Sequence, residues 1–289
     1  MQKKIKTAES TLSQADEKVN LTDTDACFQK GKKGNFDLFY NVQVGCNEAQ
    51  VILYADVCTD GNDRQQLIPC IKGVEKNTEH KVENAIADAG YSSFDNMEFM
   101  LEHDIKGFVP DPDFGKTFPD QPYHKYHFVE DKNNNQLICP QGKILKYHQK
   151  KKDRKNTFKV YKGTQCDSCP VRSSCTKAKA RTVNIEIREP LRQEMRQRLQ
   201  TEEGKAMYRK RLHPVEAIFG HLKFNLGYTH FLLRGLEKVN AEFQLMCISY
   251  NLMKLFNKQS KTFHPIIILT MIMRHMMQIY YHPSLSKNF

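Results

Sequence analysis

Between Tyr208 and Lys223 the chain reads YRKRLHPVEAIFGHLK, with one acidic residue, Glu216, in a stretch that is otherwise basic and apolar. Pro214 suits the first turn of a helix. If 214–223 is helical, Glu216 and Lys223 lie about two turns apart and point the same way. A carboxylate among cations fits a metal site on DNA: the carboxylate holds a divalent ion, and Arg211 and Lys223 hold the phosphodiester. The plain structural alternative is a surface helix with a Glu–Arg ion pair. A second carboxylate, Asp88, follows the apolar run Ala85-Ile86-Ala87 in KVENAIADAGYSS. That pattern predicts a short buried strand ending at Asp88, a glycine turn, and a helix from Ser92 or Ser93 carrying Phe94, Met97 and Met100. A carboxylate at the C-terminal end of a strand is where open α/β sheets place functional groups, although Asp88 also suits a simple turn cap.

A third group is made of thiols. Cys139 lies in LICPQGKIL; Cys166, Cys169 and Cys175 lie in QCDSCPVRSSC, the first two as a CxxC pair. The N-terminus MQKKIKTAES is polar and shows no secretory signal, which points to a reducing, cytosolic setting. There clustered cysteines are metal ligands more often than disulfides. Four thiolates from two knuckles close a tetrahedral zinc site; free cysteines are the alternative.

The chain has 289 residues, with 44 Lys and Arg against 33 Asp and Glu, a net charge of +11. The pI is about 9.1. This balance favours an acidic polymer as partner, nucleic acid first and anionic membrane second. Residues 1–35 read as a flexible lead-in, including the turn formers of NLTDTDACFQKGKKG. Residues 36–110 read as the first part of an α/β core. Phe36, Leu38, Tyr40, Val42 and Val44 alternate as in a half-buried strand, Asn47-Glu48-Ala49 turns, and QVILYADV returns, giving a hairpin. A helix follows with Leu67, Ile68, Ile71 and Val74 on one face, and Asp63 as its cap rather than a metal ligand. DIKGFVP is a further strand. Residues 111–185 lack long apolar periods and read as a Cys-rich insertion in need of a metal staple; the Lys run 150–152 and Arg154 suit either phosphate contacts or a solvated loop. Residues 186–256 read as the helical end of the core: one helix over 186–208 with Leu191, Met195 and Leu199, then a long amphipathic helix over Leu236–Phe256. The tail, 257–289, is apolar but broken, and its longest uncharged run is too short to span a bilayer.

Taken together, Asp88 in its Ala-Asp-x-Gly-Tyr setting, the four cysteines, the 208–223 stretch and LRGLEKVNAEFQLMCISYNLMKL resemble the C-terminal part of bacterial insertion-sequence transposases of the DDE type. The resemblance runs from about Leu21 to Leu255. The family signature sets Tyr, two residues, Arg, three residues, Glu, six residues, Lys. Here Tyr208, Arg211, Glu216 and Lys223 match, with four residues rather than three before Glu216, which leaves the reach of Arg211 open. The resemblance implies an RNase H-like mixed sheet flanked by helices, with a zinc-binding insertion through Cys139, Cys166, Cys169 and Cys175. It also implies catalytic, Mg²⁺- or Mn²⁺-binding carboxylates at Asp88 and Glu216, and DNA contacts from Tyr208, Arg211 and Lys223. The partners it implies are transposon-end and target DNA and, at full length, a second copy; no membrane; and a bacterial cytoplasmic, nucleoid-associated location. In the family three carboxylates hold two metal ions, and the first sits in an Asp-Gly-Thr-like motif that has no counterpart here. The expectation is therefore a chain that starts late in the core and is inactive alone. The alternatives are a non-catalytic DNA-binding or regulatory remnant and a metal-dependent nuclease of another class.

Overall fold

The computed structural model describes residues 20, 22–30, 36–116, 120–212 and 214–259. In chain order the elements are β1 (Cys27–Lys30), β2 (Phe36–Phe39), β3 (Asn41–Cys46), β4 (Ile52–Cys58), α1 (Leu67–Thr78), β5 (Asn84–Ile86), α2 (Phe94–Glu102), β6 (Lys106–Phe108), β7 (Val129–Asp131), β8 (Gln136–Ile138), β9 (Ile144–Asp153), β10 (Asn156–Gly163), α3 (Arg172–Cys175), β11 (Thr182–Glu186), α4 (Glu189–Gln200), α5 (Glu202–Arg209), α6 (Pro214–Gly220) and α7 (Leu236–Gln259). This mixed α/β chain gathers into two compact units. One takes the segments up to Asn62, 70–80 and from 212 onward; the other takes 63–69 and 81–211.

In the first unit β3 and β4 form an antiparallel hairpin, Val42 opposite Val57 and Gly45 opposite Tyr54. Alternation gives the hairpin two working faces. Val42, Val44, Ala55 and Val57 share a core with Ile218 and Leu222, and with Val239, Phe243, Cys247 and Tyr250 from α7. The opposite face receives α1: a β-carbon built on Gly45 would lie 2.8 Å from Cys70 Sγ, and one built on Gly73 would run into the Tyr54 ring. Only glycine at these two positions lets the helix close on the strands. Helix α7 also bonds to the hairpin backbone. The Asn251 side chain accepts from Ile52 N at 2.9 Å and donates to Ile52 O at 2.8 Å, standing in for a neighbouring strand.

The alternating run predicted as one strand from Phe36 to Val44 is divided at Tyr40. Its first half, β2, pairs with β1 within the presumed lead-in, Cys27 opposite Phe39. The Thr-Asp-Thr-Asp stretch before β1 is structural rather than loose. Asp23 accepts from Gly235 N at 3.2 Å and from the Tyr40 hydroxyl at 2.8 Å, and Asp25 accepts from Leu236 N at 2.9 Å. Two carboxylates thus meet the N-terminus of α7, where free amides and the helix dipole favour negative charge.

In the second unit β5 and β6 pair in parallel, Ala85 opposite Gly107, joined through α2. The remaining strands form a five-stranded antiparallel sheet ordered β11-β10-β9-β8-β7. That sheet lies almost wholly in the stretch read as lacking long apolar periods, and there Phe128, Leu137, Leu145, Tyr161 and Val183 pack as one buried cluster. The predicted single helix over 186–208 is two. Glu186 ends β11, and Thr201 breaks the helical run, its hydroxyl accepting from Gly204 N at 2.9 Å to start α5. Two arginines bind the helices to the rest of the unit. Arg188 meets Glu186, Asp95 and Glu98, and Arg196 grips Asp111 at 2.6 and 2.7 Å. Burial works against the Asp111 carboxylate, but the Arg196 fork and the amide of Asp113 outweigh it and hold the group below the usual carboxylate range. The predicted tail beyond Gln259 lies outside the described residues. Among those described, no helix is long and apolar enough to cross a membrane.

Candidate functional site

Asp88 stands where the sequence suggests, directly beyond the end of β5. Its Oδ1 accepts from Gly90 N at 2.8 Å, so the carboxylate does cap the short helical turn Ala89–Tyr91. Capping uses one oxygen. The other, Oδ2, faces Arg211 NH1 at 3.8 Å, with the Asp88 side chain half exposed and that of Arg211 a quarter exposed. Arg211 in turn lies over the ring of Tyr208, 5.7 Å from its centroid. Three of the sequence-predicted residues, Asp88, Tyr208 and Arg211, therefore meet in one unit. The extra residue before Glu216 does not stop Arg211 from reaching a carboxylate, and that carboxylate is Asp88.

A second acid joins them. A β-carbon built on Gly90 would lie 2.9 Å from Asp88 Oδ1 and 3.4 Å from Asp63 Oδ2, so both carboxylates face this glycine. The sequence reading gave Asp63 only a capping role. It does open the turn Asp63–Gln65, but the fold also brings it beside Asp88, which no spacing in the sequence signals. The buried Asn96 holds this corner together, donating to Arg64 O at 2.8 Å and to Tyr91 O at 2.6 Å. Two hard oxygen donors beside a guanidinium suit a divalent cation and a phosphate oxygen.

Glu216 and Lys223 belong to the other unit. Pro214 opens α6 as predicted, and Ile218 and Leu222, four apart, are buried in the core, so Glu216 is turned to solvent. The helix does not run regularly to Lys223. His221–Asn225 is a π-helical turn, with Leu226 N bonded to His221 O at 3.0 Å. Lys223 thus sits in this wider turn rather than in a continuous α-helix from Pro214. Such turns recur at functional sites. Lys223 Nζ instead lies 6.0 Å from the centre of the Phe219 ring. The charge of Glu216 reaches Cys46 at the end of β3. Burial pushes that thiol up to about 11, Lys254 opposing and Glu216 adding to the shift.

The four cysteines are drawn together. Cys139, Cys166, Cys169 and Cys175 line one cavity of about 30 Å³. Among the described residues no group of three or more His, Cys, Asp or Glu is close enough to hold a metal as it stands, so the thiols surround a shared space without being drawn onto a single centre. Backbone amides are aimed at two of the sulfurs. Lys143 N donates to Cys139 Sγ at 3.3 Å and Arg181 N donates to Cys166 Sγ at 3.5 Å. Gly142, at φ +70°, closes the turn that brings the first of these amides round. Burial raises the Cys175 thiol, Arg181 opposes it, and the other three sulfurs add to the rise. A soft four-sulfur donor set fits zinc.

No curated protein and no solved structure matched the chain. A family model described as "Transposase DDE domain" matches residues 138–256. The matched stretch contains the four cysteines, Tyr208, Arg211, Glu216 and Lys223; Asp63 and Asp88 precede it. Residues 138–256 are thus similar to the DDE domain of transposases.

Proposed function

We propose that the chain acts on DNA phosphodiesters in transposition, with Asp88 and Glu216 as carboxylate ligands for divalent ions. Tyr208, Arg211 and Lys223 hold the DNA backbone. The observation that carries this reading is the match of 138–256 to the transposase domain, because Glu216 and its cations fall inside it. Asp88 is supported separately by its place at a strand end and by Arg211 beside it. Bound to such ligands, Mg²⁺ or Mn²⁺ supplies Lewis-acid activation of a water or 3′-hydroxyl and neutralises charge on the leaving oxygen. The chain's own contribution is to hold acid and guanidinium in fixed register and to offer a phosphate the cationic side. An RNase H-like arrangement is supported by an antiparallel hairpin followed by a parallel pair joined through a helix.

The four cysteines hold a structural zinc ion in this reading, supported by their shared cavity and the amides aimed at two of the sulfurs. A second copy of the chain is supported by α7, whose Leu245, Ile248, Leu252 and Leu255 are exposed at coiled-coil spacing. The setting is the bacterial cytoplasm, at the nucleoid.

The test is a labelled duplex incubated with the chain in Mg²⁺ or Mn²⁺. Asp88 and Glu216 answer two of the three carboxylates that the resemblance calls for, so the expected result is binding without cleavage. Cleavage lost in both Asp88→Asn and Asp63→Asn would instead assign the remaining ligand to Asp63. Absence of DNA binding at low salt would overturn the reading.

A further inference from the structure

The charge of the molecule is concentrated in one element. The hairpin of β9 and β10, residues 144–163, holds seven lysines and Arg154 against one acid, Asp153, in a chain whose whole net charge is +11. Every residue of β9 from Lys146 to Asp153 is exposed. Strand β8 pairs with β9 from Ile144 to Lys146, so from Tyr147 onward β10 is its sole strand neighbour among the described residues. Lys150 stands opposite Lys159 and Lys146 opposite Lys162. Like charges directly across a sheet are destabilising. None of these lysines, nor Arg154, has an ion-pair partner among the described residues. The element is an uncompensated cationic ribbon.

We propose that this ribbon docks on the phosphate backbone of duplex DNA, as a contact surface separate from Tyr208, Arg211 and Lys223. The proposal rests on the reading that the chain acts on DNA. A two-stranded ribbon fits the major groove, roughly 12 Å wide. Between His148 and Thr157 there is no Phe, Tyr, Trp or aliphatic side chain. The tip therefore offers nothing to insert into a lipid interface and no broad ring on which to stack unpaired bases. Phosphates are what it is equipped to meet. Lysines on an open edge strand also discourage edge-to-edge pairing, and the experiment separates the two roles.

The full chain and a variant carrying Lys150→Gln, Lys151→Gln, Lys152→Gln and Arg154→Gln are titrated onto a 30-base-pair duplex of arbitrary sequence. Fluorescence anisotropy is read at several salt concentrations, with size-exclusion light scattering on both proteins. The expected result is a loss of roughly tenfold or more at low salt. The slope of log affinity against log salt should flatten by about 0.9 for each phosphate contact removed. A parent that binds with a variant of unchanged affinity and slope overturns the ribbon proposal alone, and new self-association of that variant would assign the lysines to edge protection. A parent that binds no duplex overturns the DNA reading as well. Stronger retention of the parent by phosphatidylserine vesicles or single-stranded RNA than by the duplex, lost in the variant, would also overturn it.

Discussion

Replacing Gly204 and Gly220 with alanine tests whether close packing or helix propensity governs the helix that leads to Arg211 and the one that carries Glu216. Both glycines are helical, so propensity alone favours alanine at each by up to about 1 kcal/mol. Their surroundings differ. A β-carbon on Gly204 would collide with the carbonyl oxygen and carbon of Arg198 and lie 3.0 Å from the Thr201 hydroxyl. These atoms belong to the junction itself: Thr201 Oγ1 donates to Arg198 O at 2.7 Å and accepts from Gly204 N at 2.9 Å. No flexible side chain can yield, so α5 must move away from the end of α4. Overpacking of this kind costs about 1–3 kcal/mol or more, which exceeds the propensity gain. A net loss of about 2 kcal/mol should lower Tm by roughly 3 °C in a chain of this size. Nothing lies within 4 Å of a β-carbon on Gly220, so Gly220→Ala should raise Tm by roughly 1–2 °C. Thermal melts by circular dichroism read both. Because α5 leads to Arg211, Gly204→Ala should also weaken the contact with Asp88; a displacement of 1 Å can cost about 10²-fold in a reaction rate. A Gly204→Ala protein as stable as the parent would refute the reasoning, since it would mean that the α4–α5 junction is looser than its hydrogen bonds indicate.

Protein purified reduced and without chelators should carry about one zinc per chain, and Cys166→Ser with Cys169→Ser should lose it and make the 111–185 region protease-sensitive; metal analysis with limited proteolysis checks both. Arg196→Ala should cost about 3 kcal/mol in urea unfolding, because it leaves the Asp111 carboxylate, 3% exposed, without its charge partner. Since the Asp111 pKa is lowered in the folded state, the stability it contributes is present above the ordinary carboxylate range and is lost as pH falls through the depressed value; Tm measured down to about pH 3 should fall less steeply in Asp111→Asn than in the parent. Ile218→Ala, at a fully buried position two residues from Glu216, should cost about 2–5 kcal/mol by opening a cavity, read as a lower urea midpoint.

What was legible in the sequence followed from local rules. Asp88 was placed correctly because a buried strand, a glycine turn and a serine cap succeed one another within ten residues, and Ser93 does cap α2. The helix that carries Glu216 was legible because Pro214 fixes its start. The misses arose where distance or exposure erased the pattern. Asp63 meets Asp88 through a fold contact across 25 residues of sequence. Asp23 and Asp25 read as turn formers because the helix they cap lies 212 and 211 residues on. Strand β9 showed no period because its lysines occupy both faces and an open edge. The break at Thr201 did leave a signal, a threonine followed by Glu202 and Glu203 in a first turn, which the four-residue spacing of Leu191, Met195 and Leu199 masked.

The bond between Asn251 and Ile52 joins residues 199 apart in the chain, and this has a consequence for how the protein is made. At roughly 5–20 residues per second, translation takes about 10–40 s to travel from β4 to the helix that covers it. The second unit's long segment, 81–211, leaves the ribosome within that interval and can collapse as it emerges. The β3–β4 hairpin must wait, its Val42, Val44 and Val57 face uncovered. Nascent chains stalled before residue 236 should therefore recruit chaperones that bind apolar strands, and chains stalled beyond residue 259, once clear of the exit tunnel, should release them.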